Sequence, residues 1–254
     1  MPVRISATQK LVAAAALALA ASLARAGDLH VSAAASLSNA FKEVAERYEA
    51  HYAGTRVLLN FGASGALLQQ MARGAPVDVF ASADTETMDM AAKQGLIAAG
   101  ERRDFARNSL VVVVPRDSKT TLKRLQDLGQ PVVRKVAIGN PASVPVGRYT
   151  RHALDSAKLW TVVSPKAINT QNVRQSLDYV ARGEVDAGFV YGSDAAVMQD
   201  RVKVAFDVPL DIAIRYPIAR TTGGLDAPEA RRFIDFVLSP AGQAVLAKYG
   251  FRKP

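Results

Sequence analysis

The sequence predicts an α/β fold in two lobes, and three observations carry that expectation. After residue 26, short apolar runs alternate with segments of helical periodicity along the whole chain. Some runs, such as "SLVVVVP" (109–115), are continuously apolar, as in strands buried on both faces. The chain has no cysteine, so a packed core rather than disulfides must hold it together. At 254 residues, 49% of them hydrophobic and 22% charged, it is long enough for two such lobes.

The first 26 residues stand apart. Arg4 and Lys10 precede an apolar run from Leu11 to Ala24, and Ala24-Arg25-Ala26 has the small-x-small pattern of a cleavage site. The run is too short to span a bilayer comfortably and has the flanks of a secretory signal peptide, 1–26. No cysteine lies near the cut to take a lipid. An exported protein starting near Gly27 or Asp28 is expected.

Leu29–Ala33 reads as a strand. Leu37, Phe41, Val44, Tyr48 and Tyr52 then fall at helical spacing, up to a stop at Gly54. "TRVLLNF" (55–61) is a strand, "GALLQQMARG" (65–74) a helix and "VDVFAS" (77–82) a strand. Asp84 caps a helix towards Gly95. This βαβαβ rhythm implies a parallel sheet with helices on both faces. A second block repeats it. Strands are expected at 109–115, 135–140, 166–170 and 186–192, with helices over 147–158 and 172–183 between them. Two β-rich stretches follow (202–208 and 211–219). The end is helical over 227–250, with a break at Pro240. No flexible linker separates the blocks, so strands should connect them. One lobe is expected to be 28–107 plus 217–254 and the other 108–216, with crossings near Asn108 and near Tyr216-Pro217.

Charge excludes some functions. Arg4, Lys10 and Arg25 are three of the 32 basic residues, and none of the 23 acidic ones precedes residue 27, which leaves the rest six positive charges in excess. That suits an anionic partner, but there is no polybasic block or basic–aromatic stripe, and no nucleic-acid partner is expected. The three histidines, His30, His51 and His152, lie in no metal-ligand spacing. "GASGA" (62–66) fails as a nucleophile elbow because its second glycine comes one position early. Nothing else suggests an enzyme. Asp78, Asp84 and Asp194 could pass for metal ligands. Asp84 reads better as a helix cap and Asp194 as the opening of the helix after "VYG", so no metal-cation site is assigned.

The small residues gather at four strand-to-helix turns, marked by Ser36, Ser64, Pro145-Val146-Gly147 and Asn172-Val173. In open parallel α/β sheets such turns lie at the carboxyl ends of the strands, where ligands bind. A helix N-terminus offers unpaired N–H groups to an anion, and small residues let it approach the backbone. Each serine alone could be an ordinary helix cap. Four turns together, two from each lobe, could surround one small anion.

In order along the chain, "AAASLSNAF", "FGASGALLQQM", "GAPVDVFASAD", "NSLVVVVP", "VAIGNPASVPVGRY", "NVRQSL", "VYGSDA" and the closing "KYGF" resemble the signature segments of the periplasmic molybdate-binding proteins of ABC importers. The resemblance implies a two-lobed type II periplasmic-binding-protein fold with the ligand in the cleft between lobes. It implies hydroxyl and backbone N–H donors only, so that molybdenum is bound solely as its oxyanion, without cofactor or cation. Carried over residue by residue, the ligand positions are Ser36 and Ser64 through hydroxyl and N–H, Val146 and Val173 through backbone N–H, and Tyr191 through its phenol. A periplasmic monomer is implied that binds molybdate or tungstate and hands it to an inner-membrane permease with its ATPase.

Two departures stand out. Many relatives have alanine at Val146, and a hydroxyl residue at Gly65 whose supporting hydrogen bond this chain would lack. Adjacent tyrosines, as in iron carriers, are absent, and the four turns offer no pair of acidic and basic anchors for an amino acid. Arg148 is expected to point outward. Sulfate or phosphate remains the alternative ligand. A DNA-binding regulator with this ligand fold would need its DNA-binding segment where the signal peptide stands.

Overall fold

The computed structural model describes residues 27–254; the segment 1–26 read as a signal peptide lies outside the described residues. In chain order the first elements are β1 (Asp28–Ala34), α1 (Ser38–His51), β2 (Arg56–Gly62), α2 (Ser64–Ala72), β3 (Val79–Ala81), α3 (Thr85–Lys93), β4 (Arg103–Asn108) and β5 (Leu110–Pro115). Then come β6 (Val136–Gly139), α4 (Pro145–Ser156), α5 (Trp160–Val163), β7 (Ala167–Thr170), α6 (Val173–Ala181), β8 (Ala187–Tyr191) and α7 (Gly192–Val197). The last are β9 (Val202–Asp207), β10 (Ile214–Arg220), α8 (Ala227–Leu238) and α9 (Pro240–Lys248).

The strands form two five-stranded sheets, ordered β2-β1-β3-β10-β4 and β7-β6-β8-β5-β9, each the centre of one lobe. Both are mixed rather than purely parallel. The strands that change lobe run against their neighbours: β10 is antiparallel to β3 and β4, and β5 to β8 and β9. The "LVVVV" run of β5 is buried throughout, as its composition requires. The periodic residues Leu37, Phe41, Val44 and Tyr48 are all buried. Phe41 meets Phe105 and Phe233 with ring centroids 5.7 and 6.1 Å apart, which locks α1 and α8 onto the first sheet. The break at Pro240 is real: Ser239 leaves helical conformation (ψ 162°) and its Oγ accepts from Gly242 N to cap α9.

Two differences from expectation matter for the site. β4 carries Arg103, Asp104 and Arg107, and those charges hide its strand character, as suits an edge strand. The return crossing also comes earlier than expected. Tyr216-Pro217 lies inside β10 of the first sheet, at a bulge in its pairing with β4, and not between lobes. Pro217 has no N–H for the ladder, so a bulge is where a strand tolerates it. The chain passes between sheets at Ser109 and over 208–213.

One surface cluster ties the terminal helix to the first. The Glu43 carboxylate of α1 accepts from Arg47 (2.7 Å), Lys248 Nζ (2.7 Å) and Tyr249 Oη (2.9 Å). Hydrogen bonding to Lys248, then to Tyr249, holds its pKa down at about 2, against an ordinary 4.5. The stabilisation is full above about pH 4.5 and fades as the pH falls through about 2. The Glu43→Gln variant should therefore have a lower urea midpoint than wild type at pH 7, and the two midpoints should converge as the pH approaches 2.

Candidate functional site

All five positions inferred for the ligand lie at carboxyl ends of strands, and all are buried, between 0% and 4% exposed. Ser36 sits in a 3-10 turn (Ala35–Leu37) between β1 and α1. Ser64 opens α2 behind β2, Val146 lies in the first turn of α4 behind β6, and Val173 opens α6 behind β7. Tyr191 is the last residue of β8. In general the first N–H groups of a helix have no carbonyl four residues back within that helix to bond to. Gly147 is a packing requirement of the α4 turn, since a Cβ there would collide with the Gly139 carbonyl at the end of β6.

Contacts between lobes bring the turns together. Gly65 N donates to Ser143 O (3.1 Å), joining the start of α2 to the turn that leads into Val146. Arg174, next to Val173, donates to the Ser36 carbonyl (3.1 Å) and to Asn39 Oδ1 (2.7 Å). Tyr191 and Tyr216 meet edge to face, 5.7 Å between centroids, and Tyr216 Oη lies 3.0 Å from Ser36 Oγ. Each inferred ligand residue is thus within a residue or two of a bridge between lobes, or in a chain of contacts leading to one.

Hydroxyl chemistry separates the three side-chain donors. Ser64 Oγ accepts from Ala83 N (3.0 Å), which leaves its own proton free to donate elsewhere. Tyr191 Oη is buried and has no hydrogen-bond partner among the described residues. Burial raises the Tyr191 and Tyr216 pKa values well above the ordinary phenol value, so both remain proton donors.

Arginines approach the turns, but each is matched by a carboxylate. Arg148 does not point outward. It reaches across the lobes to Asp84 Oδ2 (2.9 Å from Nε, 2.6 Å from Nη2) and Thr87 Oγ1 (2.6 Å) at the start of α3. Asp84 also caps α3 through Thr87 N (3.1 Å), as its position suggested. Arg174 Nε lies 2.6 Å from Asp194 Oδ1, out of line for a hydrogen bond, so the contact is an ion pair. Burial pushes the Asp194 carboxyl up to about 6 against the pull of Arg174, and Asp194 caps α7 through Tyr191 N (3.3 Å). Asp78 accepts from His30 N and Leu225 N (both 2.7 Å) and so has a structural task. Among the described residues, no group of three or more His, Cys, Asp or Glu side chains could hold a metal ion.

Residues 29–252 match the family described as bacterial extracellular solute-binding protein. The chain is 36% identical over 255 residues to the molybdate-binding protein ModA of Escherichia coli, covering 95% of this chain and 96% of that one. The chain belongs to this solute-binding family, in its molybdate-binding ModA branch. Among solved structures, the periplasmic molybdate-binding protein of Azotobacter vinelandii superposes with a TM-score of 0.79 at 23% identity, covering 89% of this chain and 99% of that one. The sulfate-binding protein SubI of Mycobacterium tuberculosis superposes equally well, with a TM-score of 0.80 at 18% identity over 89% and 86% of the chains. At such identities the likeness speaks for the two-lobed fold alone, so ligand choice within this family must be argued from the site itself.

Relative to the ModA pattern, the glycine at 65 proves to be more than a lost hydroxyl. A Cβ there would stand 2.6 Å from Ser143 O and 3.0 Å from Ser143 Cα, so glycine is what allows the two lobes to touch. Three residues beyond the inferred set make contacts that join these turns or touch them: Arg148, Arg174 and Tyr216. Arg148 and Arg174 were legible as charges beside two of the turns, in "VPVGRY" and "NVRQSL". For Tyr216 there was no local signal, because its partner Ser36 lies 180 residues away.

Proposed function

We propose that this protein is the periplasmic receptor for molybdate, and equally tungstate, that delivers the anion to an inner-membrane ABC permease with its ATPase. It does so as a monomer, without enzymatic turnover, resident cofactor, metal cation or nucleic acid, and is exported by the 1–26 segment. Ser36, Ser64, Val146, Val173 and Tyr191 hold the oxyanion through hydroxyl and N–H donors. The observation that carries this is the Tyr191 hydroxyl: buried, protonated and without a hydrogen-bond partner among the described residues, where the two lobes meet. A buried donor without an acceptor costs about 1–3 kcal/mol, and a bound oxyanion would supply the acceptor. Lobe boundaries for this reading are 27–108 with 214–254, and 110–207, one around each sheet.

Selectivity follows from the donor set. Hydrogen phosphate keeps a proton that would meet only donors, at a cost of about 1–3 kcal/mol. Sulfate has no such proton but is smaller, so donors fixed by closed lobes would not all reach it. Titration calorimetry should rank molybdate and tungstate together, with sulfate and phosphate far weaker. The same set of hydroxyl and N–H donors could also hold another tetrahedral oxyanion such as sulfate or phosphate, and that is the second reading. Sulfate binding as tight as molybdate would decide for that reading.

A further inference from the structure

Tyr216 does not belong to the inferred ligand set, yet it is fully buried and touches one member of it. Its hydrogen-bond direction can be worked out from Asn108. The Asn108 Oδ1 atom accepts from two backbone groups, Ser109 N (3.0 Å) and Ser193 N (3.3 Å), which fixes which end of the amide is oxygen. The Nδ2 end then donates to Ser193 Oγ (2.8 Å) and to Tyr216 Oη (3.3 Å). Tyr216 Oη thus accepts a hydrogen bond from Asn108, and its own proton points to its other neighbour, Ser36 Oγ, 3.0 Å away. Burial raises the Tyr216 pKa well above the ordinary phenol value, so that proton stays in place. Ser36 Oγ, already accepting from Tyr216, has its remaining hydrogen to give.

We propose that Tyr216 is a positioning residue for anion capture: together with Asn108 it orders a chain of hydrogen bonds that presets Ser36 as a donor to the oxyanion. The proposal rests on the assignment of Ser36 to the oxyanion site. Ser64 obtains the same preset from a backbone group, Ala83 N, so its arrangement cannot be removed by substitution, whereas that of Ser36 can. Without Tyr216, the Ser36 hydroxyl is free to rotate and must be ordered by the anion when it binds.

The test is a double-mutant cycle read by molybdate titration calorimetry on wild type, Tyr216→Phe, Ser36→Ala and the double variant, with thermal melts to verify folding. Tyr216→Phe should weaken binding by roughly three- to tenfold, the worth of one neutral hydrogen bond. In the Ser36→Ala background the same substitution should cost nothing further, because Tyr216 acts through the missing hydroxyl. Equal losses in both backgrounds would mean that Tyr216 merely supports the fold, and would overturn the proposal. So would an unchanged affinity of Tyr216→Phe beside a clear loss in Ser36→Ala. If Ser36→Ala binds as tightly as wild type, the oxyanion assignment of Ser36 itself fails and this proposal falls with it.

Discussion

Replacing Gly65 with alanine should weaken molybdate binding by roughly five- to over a hundred-fold while leaving the free protein as stable as before, or slightly more so. The two halves of that expectation have separate origins. Gly65 lies in helical conformation within α2, where alanine is the better residue by about 1 kcal/mol. The penalty arises only when the lobes meet. The new methyl group would stand 2.6 Å from the Ser143 carbonyl oxygen, and that obstacle is backbone, which cannot swing aside as a side chain could. Forcing extra volume into a packed contact costs about 1–3 kcal/mol, all of it charged to the closed form. Valine should be worse than alanine. Calorimetry and a thermal melt on the same preparation separate the two effects. Wild-type affinity in Gly65→Ala would show that the bound form does not bring Ser143 against α2.

Tyr191→Phe should lower molybdate affinity by roughly ten- to a hundred-fold, the worth of one hydrogen bond to a charged group. The change removes a single oxygen that is bonded to nothing else among the described residues, so the fold itself gives up no hydrogen bond. Burial keeps the phenol protonated far above neutral pH, so the loss should be the same throughout the neutral range. Titration calorimetry at several pH values checks both points. An affinity equal to wild type would remove Tyr191 from the site.

What was legible in the sequence was local. The strand-to-helix turns at Ser36, Ser64, Val146 and Val173 announce themselves by short residues at the change from one periodicity to another, and the structure places each at a strand's carboxyl end. Asp84 is a cap that its position announced, while Asn172, read only as part of a turn, proves to cap α6 through Gln175 N. The rest depends on pairing across the chain. Edge strand β4 is masked by its own charges, because one of its sides needs no apolar partner. Pro217 looks like a break until the bulge that accommodates it is seen. Arg148 looks solvated until Asp84, 64 positions earlier, is found across the cleft. Family resemblance supplied the five inferred donors. It could not supply the residues that orient them, since those act through partners that no segment contains.

The burial of all five inferred donor residues has a consequence in time. If these groups, at most 4% exposed, hold the anion, it would leave only as the lobes part. Its residence time would then be the waiting time for opening, however strong the individual hydrogen bonds. Dilution, or a competing anion in the surroundings, could not hasten departure. A permease that pries apart Arg148 and Asp84 would control the moment of release without touching the cargo.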